Sequence, residues 1–409
     1  MENAQAQARL DLKGAMLKYC IASILSQAAF CPVLMAGTFL LGRGASSSLV
    51  GIMMALGNFL AVATQPMISS TADRKEGATL TQMLQGLALG SVGFAAAALL
   101  IKGDIAGVVF LSGLFMLYKN VQPTLNTVSA YYVNRGADIN YGIARGLGSA
   151  SYAAVSAVQG RLIAAQGSDV IMMVGIFFFI LFAASMILLP TPKDIPALNE
   201  LDSIEEVAEE VEAASESNYI DFLMAHKKFL LLVVGLALLF ASMSPFASYA
   251  ILIVEGVGGN AADMGNILAV SAVVEVPAMF GYQWLEKRFG TSRLMRFALI
   301  GFVVKSVAIT FAPNVPMLYV AYAMQFMGFA LYMPCSVSYG NKLFGEGDKS
   351  KAIGLLGTAG TIGGMVGSPI VGALTDLFGV SQMLRMVTLI SVAGCIIAEL
   401  GVQKESEAK

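Results

Sequence analysis

Long apolar runs, separated by short polar stretches, follow one another along nearly the whole chain. About 20 apolar residues are enough for an α-helix to cross the hydrocarbon core of a bilayer. Runs of this length predict twelve membrane-spanning helices, which we call segments 1 to 12. Their approximate ranges, in order, are 17–41, 48–70, 79–101, 105–133, 141–166, 169–190, 228–254, 262–284, 293–312, 316–341, 351–376 and 381–402. The pattern therefore predicts an all-α membrane protein.

Composition supports a multi-pass protein in a lipid bilayer. The 409 residues are 57% hydrophobic and 13% charged, whereas a typical soluble domain is about 25% charged. The net charge of -2 gives no indication of a nucleic-acid partner. One histidine, His226, and four cysteines in apolar runs show no metal or catalytic spacing. We therefore expect no cofactor, no metal and no catalytic residues.

Lysine and arginine residues predict the orientation, because cytoplasmic loops are enriched in them. With the N-terminus inside, 18 of the 25 lie in the terminal tails and the even-numbered loops. Four lie on the opposite side, and the remaining three, which lie within segments, are assigned to neither side. We expect a plasma membrane location, the inner membrane of a bacterium, with both termini in the cytoplasm.

Residues 191–221 are acidic and poor in bulky apolar side chains. They predict a cytoplasmic linker, with a short helix in IEEVAEEVEAA. This linker would join an N-terminal six-helix bundle at 1–190 to a C-terminal six-helix bundle at 222–409. A regulatory or partner-binding role for the linker is the less favoured alternative.

Four glycines of the first half recur in the second half at a constant offset of 212 residues. The pairs are Gly142 and Gly354, Gly148 and Gly360, Gly160 and Gly372, and Gly167 and Gly379. Two six-helix repeats, with a substrate site between them near the bilayer midplane, are typical of secondary transporters. The repeat therefore predicts two pseudo-symmetric bundles.

Three cations, Lys119, Arg145 and Lys305, lie within the predicted segments. A charge at the bilayer centre costs about 3 kcal/mol on insertion scales, so it normally faces a protein interior or a water-filled cavity. Polar side chains recur at helical spacing on one face of segment 5, which consists of Arg145, Ser149, Tyr152, Ser156 and Gln159. Several such faces predict a shared central cavity.

Candidate substrate ligands lie on the polar faces of segments 1, 4, 5 and 10. The set is Gln27, Lys119, Gln122, Asn126, Arg145, Ser149, Tyr152, Gln325 and Tyr332. Hydrogen bonding between helices is the alternative role for the uncharged members. Glu275 of segment 8 either carries a proton or pairs with Lys305. The three cations and Glu275 together carry a charge of +2 when all are ionised, which favours a small organic anion as substrate. Arg145 can hold a carboxylate through two hydrogen bonds.

The twelve segments, the repeat and the long central loop resemble the major facilitator superfamily. STADRKEG resembles the loop between helices 2 and 3 of that superfamily, which gates alternating access. The resemblance implies this role for Asp73 and Arg74. LEKRFG, with Glu286 and Arg288, repeats the acidic-then-basic pattern and predicts a turn in the corresponding place after segment 8. The resemblance also implies proton coupling and a monomer.

Shorter motifs resemble the lactose permease and phenylpropionate permease branch, which is oligosaccharide:proton symporter-like. GIARGLGSASY is similar to a helix-5 segment in which an arginine binds substrate and an aromatic residue stacks on it, which implies these roles for Arg145 and Tyr152. FALIGFVVKSVAITFA resembles helix 9 and implies coupling by Lys305, with Glu275 as the helix-8 glutamate. Asn126 replaces the glutamate needed for galactosides, and segment 10 lacks the coupling histidine and glutamate. Galactoside transport is therefore not expected.

The sequence predicts a secondary active transporter that takes up a small organic anion or aromatic acid with protons. A sugar or nucleoside symporter and a drug or sugar efflux antiporter are alternatives. A membrane enzyme and a non-transporting sensor are less favoured, since we find no HExxH, GxSxG, Asp-rich metal motif or P-loop.

Overall fold

The computed structural model describes residues 12–73, 77–193 and 219–403. Helices occur at all twelve predicted segments, and the described residues contain no β-strand. Nine helices of the described chain are long and apolar enough to cross a membrane. The nine omit the helices of segments 5 and 9, which carry more polar and charged side chains, and they combine segments 11 and 12 into one.

Six of the segments are single helices. They are segment 2 (Ser47–Asp73), segment 3 (Leu80–Leu100), segment 5 (Tyr141–Gln166), segment 6 (Val170–Ser185), segment 8 (Ala261–Phe289) and segment 9 (Thr291–Thr310). Segment 6 continues into a 3₁₀ turn at Met186–Leu188. A separate short helix, Tyr219–Ala225, precedes segment 7 and begins within the last residues of the predicted linker.

Segments 1, 4, 7 and 10 are each interrupted. Segment 1 consists of Ala15–Leu34 and Ala36–Gly42, and segment 4 consists of Asp104–Lys119 and Val121–Val133. Segment 7 consists of Lys227–Met243, Pro245–Ser248 and Ala250–Glu255. Segment 10 consists of Val315–Ala323, the 3₁₀ turn Met324–Phe326, and Phe329–Leu343. These are the first and fourth segments of each half. The interruptions therefore recur at corresponding positions of the repeat.

Local chemistry explains one break in each of segments 4, 7 and 10. In segment 4, the side chain of Asn120 donates to the Met116 carbonyl at 2.9 Å, and its backbone N–H bonds instead to Leu117, three residues back, at 3.2 Å. In segment 7, Pro245 has no N–H to donate to the helix. In segment 10, Gly328 has φ -96° and ψ -94°, outside the helical region.

Segments 11 and 12 form one helical run, Glu346–Gly401, that turns at Gly379. Gly379 has φ 77° and ψ 166°, a conformation that is essentially restricted to glycine. Gly167, which lies 212 positions earlier and directly after segment 5, also has a positive φ of 87°. The glycine repeat thus marks the same turn in both halves.

The LEKRFG stretch is helical rather than a turn. The helix of segment 8 continues to Phe289, and the chain turns at Gly290, where φ is 81°. Lys287 and Arg288 in the last helical turn complement the negative end of the helix dipole, which favours this longer helix.

Most of the predicted linker lies outside the described residues, because these omit 194–218 and with them IEEVAEEVEAA. Arg74 also lies outside them. The linker and the bundle boundaries at 190 and 222 therefore stay predictions.

The chain divides into two compact units. The first takes its described residues from Met1–Ala36, Gly57–Val155 and Asp169–Val207, and the second takes them from Gly37–Leu56, Ser156–Ser168 and Ala208–Lys409. The second unit therefore includes the ends of segments 1, 2 and 5. Its apolar core contains the buried side chains of Phe229, Leu236, Phe302 and Tyr332.

Candidate functional site

The interruptions of segments 4 and 10 coincide with candidate site residues. Lys119 ends the first helix of segment 4, and Gln325 lies in the 3₁₀ turn of segment 10. Broken helices at corresponding positions of two repeats are the best structural indicator of a transporter binding site. We therefore describe the polar side chains around each break, one unit at a time.

In the first unit, three amides form a row across segments 1 and 4. Gln27 Nε2 donates to Gln122 Oε1 at 2.8 Å, and Gln122 Nε2 donates to Asn126 Oδ1 at 2.9 Å. Gln27 is buried, Gln122 is half-buried and Asn126 is exposed. The row therefore ends at a solvent-accessible amide that retains donors and acceptors for a ligand.

Arg145 lies in the second turn of segment 5, next to segment 1. Its Nη1 donates to Ser149 Oγ at 2.7 Å, one helical turn away, and the side chain is half-buried. Ser23 Oγ donates to the Ala144 carbonyl at 2.9 Å. A Cβ at Gly148 would lie 2.8 Å from Gln27 Cγ, so this glycine allows the two helices to approach closely. Segment 1 thus packs against the helix that carries Arg145 and also holds the first amide of the row.

An aromatic row lies one helical turn beyond these polar groups. The Phe30 ring stacks on Tyr118 with a centroid distance of 5.9 Å and lies 6.5 Å from the Tyr152 ring. Tyr118 is buried and donates to the Ser26 carbonyl, which fixes its ring. Phe30 and Tyr152 are half-buried and can contact a ligand.

The first unit carries a second cation, Lys119, at the break of segment 4. The Lys119 ammonium lies 5.4 Å from the Phe115 ring centroid. Within the described part of the chain, neither Lys119 nor Arg145 pairs with a carboxylate. A low-dielectric site with this charge favours an anion.

In the second unit, Gln325 lies between two charged side chains. Lys305 Nζ donates to Gln325 Oε1 at 2.5 Å, and Gln325 Nε2 donates to Glu275 Oε1 at 2.9 Å. Three segments, 8, 9 and 10, each supply one member. The cluster combines one cation with one carboxylate through a neutral amide.

Aromatic rings complete the surroundings of Lys305. Its side chain is 7% exposed, and its Nζ lies 5.2 Å from the Tyr322 ring and 5.9 Å from the Phe246 ring. The Tyr322 hydroxyl donates to the backbone carbonyl of Phe246 at 2.7 Å, which fixes the Tyr322 ring. Cation–π attraction therefore adds to the single amide acceptor.

Other predicted site residues have different surroundings. Tyr332 is 2% exposed in the apolar core, and its hydroxyl donates to the Leu356 carbonyl at 2.8 Å. Ser156 and Gln159, which continue the polar face of segment 5, are fully buried and belong to the second unit. Arg145, near the start of the same helix, belongs to the first unit.

The residues predicted to gate transport are partly described. Glu286 Oε1 lies 2.9 Å from Lys342 Nζ and accepts from Thr291 Oγ1 at 2.9 Å. Arg288 is exposed, with its guanidinium 5.7 Å from the Trp284 ring centroid. Asp73 is the last residue of its helix, and Arg74 lies outside the described residues.

Sequence reasoning missed two contacts that the structure makes prominent. Tyr118 reaches the site through its ring, but its position in an apolar run resembles that of a core residue. Asp376 accepts hydrogen bonds from the backbone of Ser47 and Ser48, more than 300 positions away in the chain. A carboxylate near the end of a segment resembles an ordinary loop charge, so only the fold reveals this contact.

These helices and polar clusters define the class of the protein, which is a multi-pass membrane transporter with twelve helices in two six-helix bundles. The chain belongs to the MFS_1 like family, whose profile matches residues 26–386. Members of this family are transporters, so the chain is a transporter of the major facilitator type and not an enzyme.

Several solved structures share this fold. A mutant of the nucleoside transporter NupG has a TM-score of 0.81 at 12% identity, covering 95% of this chain and 100% of that one. A bacterial homologue of the human lysosomal transporter Spinster has a TM-score of 0.69 at 12% identity, covering 97% of both chains. A peptide transporter POT in complex with sulfate has a TM-score of 0.70 at 10% identity, covering 94% and 93%.

One curated relative is similar in sequence. The maltose permease of Geobacillus stearothermophilus is 25% identical over 187 residues, which are 46% of this chain. The matched part spans 48% of that permease, about half its length.

Proposed function

We propose that this protein is a proton-coupled symporter for a small organic anion, with an aromatic carboxylate as the favoured substrate. The observation that carries the proposal is the pair of cations, Lys119 and Arg145, that have no carboxylate partner in the described chain. They lie in the unit that also holds the half-buried rings of Phe30 and Tyr152. An anion with an aromatic body matches both features.

In this proposal each group of the first unit has one task. Arg145 binds the carboxylate, and Ser149 holds the guanidinium in place through its hydroxyl. Phe30 and Tyr152 contact the ring of the substrate. Lys119 adds positive charge, while the amides of Gln27, Gln122 and Asn126 bind further polar groups.

We assign coupling to Glu275 and Lys305. Protonation of Glu275 changes the charge of the second cluster from zero to +1, which alters its interaction with an anion on the transport path. The two hydrogen bonds of Gln325 support a coupling role for this residue rather than the predicted substrate role. The buried position of Tyr332 likewise supports a packing role.

The remaining assignments stay part of the proposal. Asp73, Arg74, Glu286 and Arg288 gate transport, and the ion pair of Glu286 with Lys342 supports a role for this end of segment 8. The protein is a monomer in the inner membrane with both termini in the cytoplasm. It belongs to the lactose permease and phenylpropionate permease branch.

A sugar or nucleoside symporter is the second candidate. The amide row favours it, because amides bind hydroxyl groups and bases without requiring a charge. Similar proteins are described as a nucleoside transporter and a maltose permease. An efflux antiporter has the same architecture and remains an alternative.

A thermal-shift screen of the purified protein separates these candidates. Aromatic acids, short carboxylates, nucleosides and sugars are the probes. A substrate at 100 times its Kd stabilises the folded state by about 2.7 kcal/mol. We expect aromatic carboxylates to raise the unfolding temperature, and Arg145→Gln to abolish this rise.

The matched control is Arg161→Gln, which removes an exposed arginine from the same helix. It should leave the carboxylate response unchanged. A carboxylate response that survives both Arg145→Gln and Lys119→Gln would contradict the anion site, and a response to nucleosides or sugars alone would favour the second candidate.

Uptake into proteoliposomes tests the coupling. An imposed pH gradient should drive accumulation of the stabilising compound, and an uncoupler should abolish it. Glu275→Gln should stop accumulation while exchange of substrate across the membrane continues. Accumulation by the Glu275→Gln variant at the parent level would contradict the coupling assignment.

A further inference from the structure

The carboxylate of Asp376, near the end of segment 11, caps the first turn of segment 2. Asp376 Oδ1 accepts from Ser47 N at 2.8 Å, and Oδ2 accepts from Ser48 N at 2.7 Å and from Ser48 Oγ at 2.5 Å. The first N–H groups of a helix have no partner within the helix, and the positive end of the helix dipole favours a carboxylate there. Segment 2 therefore obtains its N-terminal cap from a residue that is distant in sequence.

Close backbone packing surrounds this cap. The Tyr249 hydroxyl donates to the Ser47 carbonyl at 2.8 Å. A Cβ at Gly372 would lie 2.9 Å from Ser48 Cα, and a Cβ at Gly51 would lie 2.9 Å from Pro369 Cα. Two glycines thus allow segments 2 and 11 to lie in direct contact beside the carboxylate.

The repeat relates this contact to one between segments 5 and 8, which has no such carboxylate. Gly160, 212 positions before Gly372, packs on segment 8, where a Cβ would lie 2.9 Å from the backbone nitrogen of Gly265. The helix of segment 8 caps itself, because Asn260 accepts from Ala262 N at 2.8 Å within its own capping box. The residue 212 positions before Asp376 is Ala164, which has no polar side chain.

We propose that Asp376 is a latch whose carboxylate holds the first turn of segment 2 against segment 11, and that its release is a required step of the transport cycle. Transporters of this architecture work by movement of one repeat against the other. Residues 47–56 of segment 2 come from the N-terminal half of the chain, yet they pack within the second unit. Such movement requires this turn to leave Asp376.

The latch is suited to reversible release. Asp376 is exposed, so water replaces the lost hydrogen bonds as the contact opens, and no buried charge is stranded. The proposal depends on the transporter class and not on the identity of the substrate. Its test therefore uses no substrate, and it can fail or succeed independently of the anion proposal.

The test measures how often the contact opens in the purified full-length protein. Ser368 is fully buried beside the segment 2 contact, and Ser368→Cys serves as the reporter in a background whose four buried cysteines are replaced. The rate of maleimide labelling follows the open population. We expect Asp376→Asn to raise this rate about tenfold, the change that about 1.4 kcal/mol in the opening equilibrium produces.

The matched control is Asp263→Asn, which removes a capping carboxylate that acts within its own helix. This variant and Asp376→Glu should label at the parent rate, while Ser48→Ala should show a smaller rise than Asp376→Asn. An unchanged rate in Asp376→Asn, or an equal rise in Asp263→Asn, would overturn the latch.

Hydrogen exchange distinguishes latch release from general loosening of the fold. Faster exchange in Asp376→Asn should be confined to peptides at the start of segment 2 and the end of segment 11. Uniformly faster exchange over the whole chain would assign Asp376 a merely structural role and overturn the proposal. Ser48→Ala provides the same measurement should the Asp376 variant not fold.

Discussion

The side-chain amide of Gln325 has one orientation that satisfies both of its charged neighbours. Lysine only donates hydrogen bonds and an ionised carboxylate only accepts them, so Oε1 faces Lys305 and Nε2 faces Glu275. Gln325→Leu removes the amide acceptor of a lysine that is 7% exposed. We expect the free energy of unfolding to fall by about 1.5–3 kcal/mol, the range for hydrogen bonds to charged groups. Thermal unfolding in detergent measures the loss.

Its control is the double variant Lys305→Met with Gln325→Leu. Replacement of both partners by apolar groups leaves no buried lysine without its acceptor, and Glu275 is only half-buried, so part of the lost stability should return. Losses that simply add in the double variant would contradict the proposed dependence of Lys305 on Gln325.

At this scale the sequence predicts which residues are unusual better than which residues they contact. Charges within apolar runs identified Lys305, Glu275 and Arg145, because a charge in lipid is costly wherever it points. The partner of each charge depends on how neighbouring helices are rotated, which helical spacing within one segment does not determine. Tyr332 illustrates this limit, since its spacing matches a polar face while its ring packs in the core.

At the scale of helices, close contact between segments 5 and 8 depends on facing glycines. A Cβ at Gly265 would lie 2.8 Å from the Gly160 Cα. Gly265→Ala therefore forces the helices apart, and we expect a loss of about 1–3 kcal/mol, as for other overpacked sites. The unfolding midpoint in detergent measures it.

Gly281→Ala is the matched control in the same helix, because no atom lies within 4 Å of a Cβ at that position. Alanine is the better helix former, so this variant should be neutral or more stable by up to about 1 kcal/mol. Equal losses for the two variants would show that helix propensity, and not contact with segment 5, decides the effect at Gly265.

The existence of the helices follows from the sequence, but their interruptions do not. Apolar run length predicted all twelve segments, because the bilayer requires it of every spanning helix. The break at Asn120 arises from competition between its side chain and its backbone for nearby carbonyls, a local event that hydrophobicity does not register. The helical ending of segment 8 was missed for a similar reason, since charged residues there were taken to form a turn although they suit a helix C-terminus.

For the whole molecule, the repeat was the most informative sequence feature. An offset of 212 residues relates Gly167 to Gly379, and both adopt a positive φ where a segment ends. It also relates Gly160 to Gly372, and both face the backbone of another segment. Repeated glycines predict repeated backbone geometry, because few other residues fit these positions. The side chains between them are free to differ, as Asp376 and Ala164 do.

Orientation in the membrane is the remaining property of the whole molecule that charge alone predicts. With twelve spanning segments, 18 of the 25 lysines and arginines are expected on the side of the termini. Four, Arg43, Lys102, Arg161 and Arg385, are expected on the opposite side. This bias predicts that both termini lie in the cytoplasm. In a bacterial inner membrane, a green fluorescent protein fused after Lys409 should therefore fluoresce, and alkaline phosphatase fused after Gly258, between segments 7 and 8, should be active. The controls are the two exchanged fusions, phosphatase after Lys409 and green fluorescent protein after Gly258, and both should be inactive. Active phosphatase at Lys409 would show the opposite orientation. The Asp376 latch would then open on the other side of the membrane.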